Sequence, residues 1–295
     1  MALNLKTLAT RSMSAAVFVV LLIGCVYWNY ISFSVFFFAV SMIGLSEFYN
    51  IAEKMGAKPL KIAGFIFGIL TYLSFFQNEV LMFFFDDGEN YGESFRHVYS
   101  MKNFISLPIL LGPFVILSIS LFSKNENSIK NAMFTIGGII YAVLPFALLN
   151  QTVFYNDGNQ TRDYFQPELI LGVIFLIWSN DTFAYLGGSL FGKNKMIERV
   201  SPGKTWEGTI IGVLITFVLS FSFNSLIFKL EDNIWPILGI LIPVLATIGD
   251  LVESKIKREA GVKDSGSIMP GHGGVLDRFD SLIFVSPFVY VFFKL

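Results

Sequence analysis

Residues Ile234-Trp235-Pro236-Ile237-Leu238-Gly239-Ile240-Leu241-Ile242-Pro243-Val244-Leu245-Ala246-Thr247-Ile248-Gly249 form an uncharged apolar run, and Asp250-Leu251-Val252-Glu253-Ser254-Lys255-Ile256-Lys257-Arg258 follows at once. A helix crosses a bilayer core on roughly 20 mostly apolar residues, so this run reads as a span with a charged end. Eight other runs read alike. Together they predict nine spans, at about 13–28, 30–49, 62–78, 104–122, 132–150, 168–188, 208–228, 235–251 and 281–295. The first lacks a small-residue cleavage site and is closely followed by the second, so an anchored helix is expected, not a removed signal peptide. Trp28-Asn29-Tyr30 between them has the polar-aromatic character of a membrane interface. Pro113, Pro145 and Pro243 fall inside runs, where neighbouring helices can satisfy the backbone groups they free.

Composition agrees. The 295 residues are 54% hydrophobic and only 15% charged, with a mean hydropathy of +0.64. Soluble domains carry roughly 25% charged residues, which disfavours a soluble enzyme, and the same figures exclude intrinsic disorder. A net charge of −1 supplies no basic field for nucleic acid. Cys25, the single cysteine, cannot form an internal disulfide and reads as inert packing. The expected fold class is all-α: a polytopic integral membrane protein of about nine transmembrane helices.

Lysine and arginine are enriched in cytoplasmic loops. With the N-terminus inside, the inner segments hold Lys6, Arg11, Lys54, Lys58, Lys61, Lys124, Lys130, Lys193, Lys195, Arg199, Lys204, Lys255, Lys257, Arg258, Lys263 and Arg278. The outer ones hold only Arg96, Lys102, Arg162, Lys229 and Lys294. This asymmetry predicts a cytoplasmic N-terminus. The long outer loops 79–103 (with His97) and 151–167 read as solvated connectors. Residues 1–165 read as a scaffold of about five spans, and 166–295 as a catalytic region of about four.

Functional polarity is concentrated between Gly249 and Ser281. Asp250 closes a span at the membrane boundary, and a continuing helix puts Asp250, Ser254 and Lys257 on one face. Asp277 and Asp280 share a face at the entry to the last span. Ionisable groups at membrane depth are costly and usually functional. Two carboxylates at adjoining helix ends could hold a hard cation such as Mg²⁺, which takes few protein carboxylates plus phosphate oxygens and water; the alternative is that each pairs with a nearby Lys or Arg. The basic residues either serve topology and anionic lipid or neutralise a polyphosphate. Pro270-Gly271-His272-Gly273-Gly274 favours the polyphosphate, because glycines admit close backbone approach and the stretch leads into a helix N-terminus suited to anions. His272 could donate to phosphate or only cap a turn.

A second polar stretch, Ser201-Pro202-Gly203-Lys204-Thr205-Trp206-Glu207-Gly208, also precedes a span. It is not a P-loop, since Glu198 stands where the first glycine is needed and no strand is expected before it. A lysine and two hydroxyls beside a helix start remain, suited to phosphate. Gly208 and Gly212, like Gly188 and Gly192, have the small-xxx-small spacing of close helix packing. Asp181, next to Asn180 inside the sixth span, must face a partner or a wet cavity.

Ser254-x-Ile256-Lys257-Arg258-x4-Lys263-Asp264, followed by His272-Gly273-Gly274-x-x-Asp277-Arg278-Phe279-Asp280, resembles the signature of the phosphatidate cytidylyltransferases (CDP-diacylglycerol synthases). The similarity extends upstream through Asn180-Asp181-Thr182-Phe183-Ala184-Tyr185 and Ser201 to Gly208. The resemblance implies a Mg²⁺-dependent reaction of CTP with phosphatidate, giving CDP-diacylglycerol and pyrophosphate. It also implies about nine spans, a homodimer and a site on the cytoplasmic side of the cell inner membrane or its equivalent. On this reading Asp250 and Asp277 are the Mg²⁺ ligands, while Lys257, Arg258, Lys263 and Arg278 hold phosphates. Ser201, Lys204 and Thr205 complete a substrate pocket with Ser254, His272, Gly273 and Gly274. Asp181, Asp264 and Asp280 orient these groups or hold a second cation. A CTP-dependent polyprenol or dolichol kinase is one rival, disfavoured by the complete signature. An ion-coupled transporter is another, disfavoured by the lack of internal repeats.

Overall fold

The computed structural model describes residues 5–76, 107, 109–155, 164–226, 234–268 and 273–294. Each of the nine apolar runs contains a helix. In chain order these are α1 (Leu5–Trp28), α2 (Tyr30–Lys54), α3 (Lys61–Ser74), α4 (Ile109–Leu121) and α5 (Ser128–Gly138), which continues through a π-turn at Ile139–Val143 into α6 (Leu144–Thr152). After these come α7 (Pro167–Phe191), α8 (Trp206–Leu226), α9 (Trp235–Glu259) and α10 (Leu276–Lys294). Among the described residues, five stretches are long and apolar enough to cross a membrane: Tyr30–Lys54, Ser128–Thr152, Pro167–Phe191, Trp206–Phe223 and Trp235–Glu259. Large apolar side chains such as Val20, Phe122, Leu190 and Val218 are exposed, as lipid-facing surface requires and a water-facing one does not.

The interfacial break between α1 and α2 is a capping arrangement. Asn29 Oδ1 accepts from the Ser32 N–H at 2.8 Å, and the Ser32 hydroxyl faces back to the Asn29 N–H at 3.2 Å. Each side chain thereby satisfies a backbone donor that a helix start leaves orphaned.

The purely helical expectation needs one correction. Among the described residues there are two short antiparallel ladders: β1 (Phe154–Tyr155) with β2 (Tyr164–Phe165), and β3 (Lys195–Ile197) with β4 (Ser201–Thr205). The second runs through a stretch where no strand was expected, because Pro202-Gly203 erases the usual strand signal. Glu207 shapes its base, accepting from the Lys193 N–H at 3.1 Å, the Asn194 N–H at 3.2 Å and Asn194 Nδ2 at 2.6 Å.

Contacts sort the chain into two compact units, Ser34–Gln151 and the pair of segments Met1–Phe33 and Thr152–Leu295. In the first, polar anchors lock an aromatic core. Tyr49 OH donates to Thr135 O at 2.9 Å, Tyr72 OH donates to Ser34 O at 2.7 Å, and Phe37 stacks on Phe146. The second unit packs α7, α8, α9 and α10 through glycines. A Cβ at Gly208 would lie 2.6 Å from Ala184 O and 2.8 Å from Gly188 Cα, so α7 and α8 touch backbone to backbone. At Gly172 a Cβ would collide with the fully buried Trp235 of α9. The small-residue spacing read from sequence is therefore packing.

Candidate active site

Gly249 sets the centre of the site. A Cβ there would come within 2.6 Å of Phe284 Cβ and 2.9 Å of Asp280 O, and the Ser281 hydroxyl donates to Ala246 O at 3.2 Å. The middle of α9 and the first turns of α10 therefore meet at backbone contact, bringing Asp250 and Asp280 together. Asp181 of α7 joins them. Asp250 lies within electrostatic range of both Asp181 and Asp280, and Lys204 within range of Asp181. Lys204, the last but one residue of β4, reaches Asp250 Oδ2 with its ammonium at 2.6 Å.

These groups line one cavity of about 650 Å³. Of the residues singled out in the sequence, Asp181, Ser201, Lys204, Thr205, Asp250, Asp277, Arg278 and Asp280 line it. Ser254 stands next to it, its hydroxyl donating to Asp250 Oδ1 at 3.1 Å. Lys263 and Asp264 are exposed and lie off the cavity. Arg258 is tied elsewhere, Nε donating to Val200 O and a terminal nitrogen to Val262 O, each at 3.3 Å. Thr205 Oγ1 caps α8, accepting from the Gly208 N–H at 3.2 Å. His272 lies outside the described residues.

Two residues have partners that the sequence reading did not assign to them. The Lys257 ammonium is buried between Glu253 and Asp277, 2.6 Å from Asp277 Oδ1. It is held by two carboxylates, where the sequence reading had it hold a phosphate. Asp277 is equally occupied: Oδ2 accepts from the Ser265 N–H at 2.8 Å, the Ser265 hydroxyl at 2.9 Å and the Gly274 N–H at 2.7 Å. One oxygen thus pins the chain on both sides of the glycine-rich loop. Gly273 adopts φ +83°, and a Cβ there would lie 2.5 Å from the same oxygen. Asp277 is a loop clamp whose oxygens here meet protein donors, where the sequence reading made it a Mg²⁺ ligand.

The matching family model spans residues 9–295 and describes the cytidylyltransferase family. This chain belongs to that family. It is 36% identical over 196 residues to a phosphatidate cytidylyltransferase of Staphylococcus aureus strain COL, covering 66% of this chain and 69% of that one. A protein of the same name from Staphylococcus epidermidis is 34% identical over 258 residues, 87% of each chain. Another from Staphylococcus haemolyticus is 38% identical over 180 residues, 60% of this chain and 65% of that one.

For a family that handles a nucleoside triphosphate, the donors decide whether a cation fits. Asp181, Asp250 and Asp280 are joined by Asn180, a buried cavity residue whose Oδ1 accepts no hydrogen bond among the described residues. No histidine or cysteine lines the cavity among those residues. An all-oxygen set suits a hard cation. Among the described residues no three such side chains form a ready-made cage, and Mg²⁺ needs none, being held by one or two carboxylates plus phosphates.

Sequence reasoning missed Glu253, buried on α9 with Lys257 as its ionic partner. It also missed the cavity face of α1, which carries Ala15, Phe18, Val19 and Leu22. Glu253 sits one helical turn before Lys257, a spacing that signals an ion pair. The α1 face left no signal, because the residues of a spanning helix are mostly apolar whichever way they point.

Proposed function

We propose that this chain transfers the cytidylyl group of CTP to phosphatidate, giving CDP-diacylglycerol and pyrophosphate. The relatives' name is that of this activity. The observation that carries the reading is the cavity, in which carboxylates, a lysine and an arginine share one space with an apolar helix face. A soluble triphosphate and a membrane lipid react only where a polar and an apolar surface meet. Around this site we propose nine spans with the N-terminus and the site on the cytoplasmic side, supported by the lysine and arginine asymmetry. Residues 166–295 supply the chemistry and 1–165 mostly scaffold, with α1 joining the catalytic part. A homodimer is the expected assembly, on the strength of the resemblance.

The nucleophile is a phosphate oxygen of phosphatidate. Its second pKa is about 6, as for phosphoamino acids, so it is largely dianionic at neutrality and needs no general base. It bonds to the α-phosphorus of CTP while the bond from that phosphorus to the bridging oxygen breaks, and the electron pair leaves with pyrophosphate. Positioning and charge neutralisation then carry the catalysis. Lys204 and Arg278 hold the phosphates. Asp250 fixes the Lys204 ammonium, and Asp277 with Lys257 fixes the loop that leads to Arg278. The apolar wall keeps water out, which strengthens each of these interactions.

The carboxylates would repel both substrates if left unbalanced. Asp250 with Asp280, and Asp181 beside them, would hold Mg²⁺, which supplies neutralisation of the phosphate oxygens. With purified protein, radiolabelled CTP and phosphatidate, label should enter the lipid phase with one pyrophosphate released per lipid formed. Absence of lipid label would overturn the proposal. Added Mg²⁺ should raise the melting temperature of the wild type and of Asp277→Asn but not of Asp250→Asn. The reverse pattern would return the metal to Asp277.

A further inference from the structure

The cavity has a side that the chemistry of phosphates does not explain. Along α1, Ala15, Phe18, Val19 and Leu22 face into it beside Ser14, a stripe at helical spacing that is apolar beyond that one hydroxyl. The opposite side of the same helix is apolar and exposed, with Val17, Val20 and Leu21 each more than half accessible. Between Ser12 and Trp28 the helix carries no charged residue. A single helix, apolar on both faces except for Ser14, thus separates the carboxylates from hydrocarbon. Phe18 also meets Phe279 edge to face, with ring centroids 5.5 Å apart. Phe279 stands between Arg278 and Asp280, so the apolar stripe begins where the phosphate-holding groups end.

The sugar and phosphates of CTP gain nothing from such a stripe, and its base stacks on aromatic faces, of which the stripe offers only Phe18 beside the aliphatic Ala15, Val19 and Leu22. A ligand that uses both sides is anionic at one end and hydrocarbon at the other. We infer that the α1 stripe seats the glycerol-ester and first acyl carbons of the lipid substrate, with Ala15 and Phe18 setting how much chain the wall accepts. This rests on the transfer reading above. Ala15 is the smallest of the apolar residues in the stripe, where added bulk displaces ligand with least cost to the helix. Phe18 presents the largest surface to be lost.

The test separates lipid from nucleotide. In Ala15→Phe, KM for dioleoyl phosphatidate should rise by about tenfold, the scale on which apolar pockets discriminate, and KM for didecanoyl phosphatidate should rise much less. KM for CTP should stay within about twofold of wild type on the same basis. Phe18→Leu should keep the wild-type chain preference, and Phe18→Ala should weaken it. Equal KM values for the two lipids in every variant, or a change confined to CTP, would overturn the inference. A readout without turnover distinguishes it from the transfer reading. Phe18→p-benzoylphenylalanine, irradiated in vesicles doped with tritiated phosphatidate, should crosslink that lipid in preference to equimolar phosphatidylcholine. Crosslinking without such preference would sink the wall assignment even if cytidylyl transfer is intact. Preferential crosslinking in a protein that makes no CDP-lipid would sink the transfer reading alone.

Discussion

Lys257 shows how a residue's role follows from its partners and not from its type. A lysine near a phosphate site invites assignment to phosphate, yet here it neutralises two carboxylates, Glu253 and Asp277, of which Glu253 is 1% exposed. Removing one member of a buried ionic set leaves an uncompensated charge, at a cost of about 3–5 kcal/mol, whereas removing matched charges is often nearly neutral. Lys257→Met should therefore lower the melting temperature in detergent strongly, and Lys257→Met with Glu253→Gln should recover much of the loss. If the double variant is no more stable than the single one, the ionic clamp is not what Lys257 provides. Extra anionic lipid should rescue neither, because the Lys257 side chain is only 12% exposed and its ammonium is held by Glu253 and Asp277.

At the scale of elements, the site exists because helices approach to backbone contact. Gly208 lets α8 reach α7, and Gly249 lets α9 reach α10. Without these contacts Lys204 and Asp280 would stand too far from Asp250. Gly208→Ala puts a methyl group against Ala184 O and Gly188, backbone atoms that cannot swing aside. Overpacking of this kind costs about 1–3 kcal/mol, so a clear drop in melting temperature and a parallel loss of transfer are expected. Gly203→Ala, with nothing within 4 Å of the added atom, is the control and should match wild type within error. Equal stability of the two variants would mean that α7 and α8 are not in backbone contact. The hairpin β3–β4 works differently. It brings Lys204 in from outside the helices, and Glu207 holds its base by accepting from three donors on Lys193 and Asn194.

For the whole molecule the proposed orientation is open to direct measurement. On a Cys25→Ser background, a cysteine at exposed Ser267 should react with an impermeant maleimide only when the cytoplasmic face is accessible. A cysteine at Asn159 should react from outside. The opposite labelling would place the site away from CTP and overturn the topology. What the sequence by itself determined is local in the chain. Apolar runs mark spans because hydrocarbon tolerates no unpaired backbone, the lysine and arginine bias points to a side, and the signature from Ser254 to Asp280 identifies the chemistry. The glycine spacings were legible for the same reason, since a helix fixes which residues stack. Only the tertiary structure decided which carboxylates share a cavity, that Lys257 belongs to Glu253 and Asp277, and that Asp277 clamps a loop. It also brought α1, distant in sequence and uncharged from Ser12 to Trp28, to the cavity wall. These facts depend on distances between residues far apart along the chain. A periodic apolar pattern cannot encode them, because in a membrane the face that meets lipid and the face that meets protein are built from the same side chains.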